Sequence, residues 1–126
     1  MNLLLDTHAI LWWMADDPKL PDGVRRAISD RNHVVHVSAA SIWEMGIKTR
    51  LGKLVLPQDW YEVLKQEPFA HLPMTAEHAV EASCLPLIHS DPFDRMLVAQ
   101  ARQQKLTLVT ADSQIPRYDV QTLPWE

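Results

Sequence analysis

The stretch Asn2-Leu3-Leu4-Leu5-Asp6-Thr7-His8 joins a short, wholly apolar run to an acid. A run of that length ended by a polar residue reads as a strand buried on both faces. Thr7 to Met14 then reads as a short helix, so Asp6 stands at a strand-to-helix junction. The same grammar recurs down the chain. His33–Val37 is β-branched and apolar, Ser38 can cap a helix, and that helix runs to about Leu51, where Gly52 closes it. Ala70–Leu72 is a weak strand, and Thr75 caps a helix over Ala76–Cys84. After a loop over Leu85–Ser90, Asp91-Pro92 supplies a cap and a first-turn proline for a helix to about Gln104. Thr107–Val109 is a strand that ends at Thr110-Ala111-Asp112, and Val120–Leu123 is a final strand. Two further helices fall between these units, Asp22–Asp30 and Gln58–Gln66, the second with Trp60, Val63 and Leu64 facing inward. Strands alternating with helices imply an α/β protein whose sheet is parallel-rich and covered on both faces. In such folds ligands bind beyond the carboxyl ends of the strands.

The rest of the composition narrows the classes. The chain has 126 residues, the size of one domain spanning 1–126. Its 3 glycines, against roughly nine at average usage, leave no Gly-rich phosphate loop. A lone cysteine, Cys84, excludes a disulfide framework and a Cys-based zinc site, and reads as a buried thiol in a reducing compartment. Nor do the six histidines form a zinc set: His33 and His36, on one strand, point to opposite faces. No apolar stretch reaches the roughly 20 residues of a membrane span. The apolar N-terminus lacks a basic region and is broken by Asp6 and His8, so it belongs to the domain and the protein is expected in the cytoplasm. Twelve Lys and Arg against sixteen Asp and Glu give a net charge of −4. Residues 19–53 carry seven bases and three acids, which leaves −8 on the other 91 residues. An acidic total does not suit nonspecific coating of nucleic acid, but the basic segment can meet phosphates locally or form solvated helix faces.

The acids then become informative. Asp6 directly follows the first strand, and Asp112 follows a later one by three residues. Asp94 lies in the first turn of the helix opened by Asp91-Pro92, and Glu44 in the second turn of the helix after His33–Val37. Each has a local explanation: Asp6 and Asp112 as caps, Ser41-Ile42-Trp43-Glu44 as a capping box, Asp91 with Asp94 as a related pattern. Those explanations do not say why all four acids collect at one sheet edge, since parallel strands share their carboxyl ends. Crowded carboxylates repel unless a cation intervenes. Four hard oxygen donors without cysteine suit Mg²⁺ or Mn²⁺, and a metal of that kind serves phosphodiester hydrolysis.

Four segments now carry a resemblance: Leu3-Leu4-Leu5-Asp6-Thr7-His8, Ser38 to Glu44, His89-Ser90-Asp91-Pro92-Phe93-Asp94-Arg95, and Leu108-Val109-Thr110-Ala111-Asp112. In this order and spacing they resemble the signature of PIN-domain proteins, and within them the VapC-type ribonuclease toxins of toxin–antitoxin systems. The resemblance spans essentially the whole chain. It implies a three-layer α/β/α sandwich and a Mg²⁺- or Mn²⁺-dependent endoribonuclease acting on RNA. It also implies a cognate antitoxin that blocks the site and a homodimer. By position Asp6, Glu44, Asp94 and Asp112 match the family's acidic quartet, as catalytic residues and metal ligands. Asp91 matches an additional acid, read first as a helix cap and then as a support for the quartet. The chain departs from many members at His8, where they carry Asn or Ser.

Other residues stay open between two roles. Thr7 and Thr110 orient carboxylates or simply bond the backbone. Arg95 contacts phosphate or pairs with an acid. His8 and His89, near the rim, touch substrate or are solvated. Trp12, Trp13, Trp43 and Trp60 sit in helical patterns and read as core or interface rather than as stacking platforms. Two other enzyme classes fit less well. A haloacid-dehalogenase-type phosphatase wants a second Asp where this chain has His8, and a receiver domain wants paired acids before its acceptor. A PIN-like module that binds RNA or a partner without cutting is the non-enzymatic alternative, and four mutually repelling acids argue against it.

Overall fold

The computed structural model describes residues 1–126. Four strands form one all-parallel sheet: β1 (Asn2–Leu5), β2 (Val34–Ser38), β3 (Ala70–Leu72) and β4 (Thr107–Val109). Their spatial order is β3-β2-β1-β4. The helices are α1 (Thr7–Met14), α2 (Asp22–Ser29), α3 (Ala39–Arg50), α4 (Trp60–Lys65), α5 (Ala76–Cys84) and α6 (Pro92–Gln104).

The leucine run explains the layering. Successive side chains on a strand point to opposite faces. Leu3 and Leu5 enter one core with Ile10 of α1, Val24 of α2, Met45 of α3 and Leu64 of α4. Leu4 enters the other with Leu97, Val98 and Ala101 of α6, Leu108 of β4 and Ile115. All three leucines are fully buried, so β1 is the central layer of an α/β/α sandwich.

Pairing register fixes what stands beside what at the carboxyl edge. Leu5 pairs Val109 in the β1–β4 ladder, and Leu4 pairs His36 in the β1–β2 ladder. The Asp6 N–H continues the first ladder by donating to Val109 O at 3.0 Å. Asp6 therefore leaves the sheet alongside Thr110, and the turn after β2 starts α3 on its other side.

Several expectations need correction. The final strand over Val120–Leu123 shrinks to a single parallel bridge, Leu108 to Thr122. Its flanks account for this: the Val120 N–H turns back to Tyr118 O, and Pro124 has no N–H to donate. Helix α4 is shorter than Gln58–Gln66, and Val63 faces solvent while Leu64 is buried. Cys84 is exposed, because α5 turns His78 and Ala82 inward and ends at Cys84. His33 precedes β2, its Nδ1 bonded to Ala27 O, so His33 and His36 do not share a strand. Trp43 is 59% exposed and lies edge-on against Phe93, so it is not a core residue.

Arg95 neither pairs with an acid nor faces outward. Its guanidinium ties down the loop between α5 and α6. One nitrogen donates to Ala82 O and Leu85 O at 2.8 and 3.0 Å. The other donates to Pro86 O at 3.0 Å, and to His89 O and the Tyr118 hydroxyl at 3.4 Å each. The planar fork is what lets one side chain serve acceptors spread over this loop. Arg95→Lys keeps the charge and loses the fork. We expect it to cost about 1–3 kcal/mol, read as a lower Tm by calorimetry with faster amide exchange over residues 85–91. An unchanged Tm would show that Tyr118 holds the loop alone.

Candidate metal centre

Each acid is placed by a local rule. Asp6 is the N-cap of α1, and its Oδ1 accepts the Ala9 N–H at 2.8 Å. Asp112 uses Oδ1 in the same way for the Gln114 N–H at 2.7 Å. Asp91 caps α6, its Oδ1 accepting from the N–H groups of Phe93 and Asp94 at 2.8 and 3.3 Å. That cap sets Asp94 in the first turn, on the side that faces β1. Ser38, not Ser41, caps α3, accepting the Ala40 N–H at 3.0 Å. Ser41 and Glu44 are thus interior helix residues, and the capping-box reading of Ser41 to Glu44 fails.

Glu44 is 3% exposed and fully partnered. The Thr7 hydroxyl donates to its Oε1 at 2.6 Å, and Lys48 Nζ donates to its Oε2 at 2.5 Å. Thr7 therefore orients a carboxylate, which is the more chemical of its two roles. Thr110 fills both roles: its hydroxyl accepts the Asp112 N–H at 3.0 Å and hydrogen-bonds the Asp6 carboxyl. Lys48 escapes notice in the sequence because it counts as one base in a basic segment. Its signal is the spacing of four from Glu44, which puts the two on one helix face.

His89 is the second residue the sequence undervalues. Its ring sits between two acids, with Nε2 at 2.9 Å from Asp112 Oδ2 and 3.1 Å from Asp94 Oδ2. The side chain is 17% exposed, so it is not a solvated histidine. Ligand atoms of His89, Asp94 and Asp112 all lie within 4.8 Å of one another.

Electrostatics ties the remaining acids to this trio. Burial pushes the Asp94 carboxyl up from 3.8 to about 7, and the charges of Asp91, Asp6 and Glu44 push the same way. Asp6 is also raised, by burial first, with a further push from Asp112. Asp112 moves down: burial opposes its charge, but the Gln114 N–H and His89 outweigh it. His89 moves up, since Asp112 and Asp94 overcome the penalty of burial. Lys48 is raised by its hydrogen bond to Glu44. The close group holds Asp94 and Asp112 with His89; Asp6 and Glu44 lie outside it, near enough for their charges to act on Asp94, and Glu44 is paired with Lys48.

The donor set fits a hard divalent cation. It offers carboxylate oxygens, no thiolate, and a strained Asp94 whose ionisation a cation would favour. The site is a rim between the ends of β1 and β4 and the starts of α3 and α6.

Comparison with known proteins places the fold and the rim in context. The PIN domain family matches residues 3–121, and the chain belongs to that family. Among its relatives is the ribonuclease VapC22 of Mycobacterium tuberculosis, 28% identical over an alignment of 118 positions, with 90% of this chain and 89% of that protein covered. The fold resembles VapBC2 from Rickettsia felis, solved bound to a DNA fragment from their promoter, with a TM-score of 0.74, 14% identity and full coverage of both chains. It also resembles FitAcB from Neisseria gonorrhoeae, with a TM-score of 0.66, 24% identity, and 98% of this chain and 99% of that one covered.

Asp94 gives the site a pH signature. The folded, metal-free chain holds the Asp94 proton up to about pH 7, whereas the unfolded chain releases it near 3.8. Between those values the fold binds more protons than the unfolded state, so this group's contribution to stability falls as pH rises. Asp94→Asn removes the effect. Without metal, the variant should melt a few degrees above the parent at pH 8, a difference on the order of 1 kcal/mol, and at about the same temperature at pH 4. A parent and variant that differ equally at both pH values would contradict this electrostatic account.

Proposed function

We propose that this protein is a metal-dependent endoribonuclease that hydrolyses RNA phosphodiester bonds, the toxin of a toxin–antitoxin pair. The observation that carries the reading is the close group of Asp94, Asp112 and His89 beside Asp6 and Glu44, with Asp94 pushed up to about 7 by burial and then by the charges of Asp91, Asp6 and Glu44. A site that drives a carboxyl that far from its ordinary value is built to be relieved by a cation. Family membership and the relative named as a ribonuclease support the same chemistry. The VapBC2 assembly, solved on a DNA fragment from its promoter, supports a partner protein for this chain. A cognate antitoxin and a second copy of the chain are the proposed partners, and the cytoplasm the proposed compartment.

The quartet would hold Mg²⁺ or Mn²⁺ through Asp6, Asp94 and Asp112, with Glu44 acting directly or through water. Such an ion supplies Lewis acidity at phosphate oxygens and makes a nearby water more acidic. The chain's own contribution is orientation and charge control. The Asp6 and Asp112 caps fix the directions of their side chains, and Asp91 fixes α6 and so Asp94. Thr7 holds Glu44, and Lys48 places a positive charge beside it where an RNA phosphate can be attracted. Asp91 thereby serves as the cap the sequence suggests.

Cleavage of a labelled RNA in Mg²⁺ or Mn²⁺ tests this. Asp94→Asn, with its fold checked by circular dichroism, should cut at least about a hundredfold more slowly, and a chelator should silence the parent. Wild-type cutting by Asp94→Asn, or no metal-dependent cutting by the parent, would leave the non-cutting binding module as the better reading.

A further inference from the structure

Within the metal reading of the site, His89 lies beside two carboxylates, Asp94 and Asp112, where a third ligand would. The hydrogen bonds around its ring assign it differently. Nδ1 accepts the backbone N–H of Asp91 at 3.2 Å. A ring nitrogen that accepts an N–H carries no proton, so the neutral imidazole has its hydrogen on Nε2. That hydrogen points between Asp112 Oδ2 and Asp94 Oδ2, at 2.9 and 3.1 Å. A protonated nitrogen has no lone pair with which to ligate a metal, and the other nitrogen is already engaged by the backbone.

We infer that His89 is a positioning residue and not a ligand: its Nε2–H clamps Asp94 and Asp112 into one site. The two acids come from different elements, the first turn of α6 and the loop after β4, and no backbone bond joins them directly. The imidazole is the one side chain that touches both. It is itself fixed from three directions. The His89 backbone N–H donates to the Tyr118 hydroxyl at 2.8 Å, its backbone carbonyl accepts from Arg95, and the Asp91 N–H locks the ring. Asp91 thus has two uses, since its side chain caps α6 while its backbone N–H selects the His89 tautomer. The inference rests on the metal reading only for what the clamped acids hold; the tautomer is a property of the metal-free chain.

The test has two parts. First, ¹⁵N spectra of the imidazole of the wild-type chain at alkaline pH should show an unprotonated Nδ1 and a protonated Nε2 for His89. Addition of Mg²⁺ should leave the Nε2 proton in place. A protonated Nδ1, or an Nε2 proton lost when Mg²⁺ is added, overturns the inference. Second, Mn²⁺ binding by calorimetry should weaken about 10–100-fold in His89→Ala. His89→Gln, whose amide N–H can replace the Nε2–H, should recover most of that loss. A Gln variant as weak as Ala overturns the clamp as well. Should the wild-type chain bind no Mn²⁺, the metal reading falls instead, and the ¹⁵N spectrum still decides His89.

Discussion

Everything at this site depends on holding like charges together. Asp6, Glu44, Asp94 and Asp112 repel one another, and burial makes the repulsion stronger by removing the water that would screen it. Asp94 is raised to about 7, by burial first and then by the charges of Asp91, Asp6 and Glu44. Only a rigid frame can impose such an arrangement. Here the frame is the β1–β4 ladder, carried one residue beyond the strand by the Asp6 N–H, together with the dense leucine layer behind it. Asp6 stands at the end of the most buried strand, where the backbone has the least freedom to relax away.

Capping and metal-site chemistry are not rivals in this chain. A carboxylate has two oxygens, and the fold spends one on geometry. Asp6 and Asp112 each bind a backbone N–H through Oδ1, which aims the other oxygen. Asp91 goes further and gives its oxygen wholly to α6, so its neighbour Asp94 carries the chemistry. A capped carboxylate is also a preorganised one, because the N–H fixes the rotamer before any ion arrives. The helix starts that decide the local structure therefore also decide the direction of the site.

Much of this was legible because it depends on short-range rules. The run Leu3–Leu5, the cap at Asp91 and the helix from Pro92 follow from hydrophobic run length and capping chemistry, and the structure has them at those residues. That Asp94 and Asp112 meet was legible for a topological reason, since parallel strands must share their carboxyl edge. What escaped depends on contacts between distant residues. Arg95 faces carbonyls from Ala82 to His89, and nothing in Asp94-Arg95 says so. His89 is defined by Asp112, 23 positions away. Trp43 looks like core in a helical pattern, yet α3 has its apolar side taken by Ala40 and Met45. The last strand failed for want of length: a proline and a tight turn left room for one bridge.

Internal donors complete the physics of the rim. Lys48 answers Glu44 and His89 spans Asp94 and Asp112, so three of the four acids already meet a donor within the chain. Asp6 has only backbone and hydroxyl partners, and it is the most buried of the aspartates. Burial is the main cause that raises both Asp6 and Asp94, the two acids pushed away from their charged forms. A divalent ion entering the rim would meet its strongest electrostatic attraction there, between the end of β1 and the first turn of α6. The same reasoning explains the choice of side chains elsewhere: a second lysine beside Asp6 would calm the metal-free fold but compete with the ion. On the proposed metal-site reading, the electrostatic cost at Asp6 and Asp94 is what a bound cation would relieve and what selection for stability alone would remove.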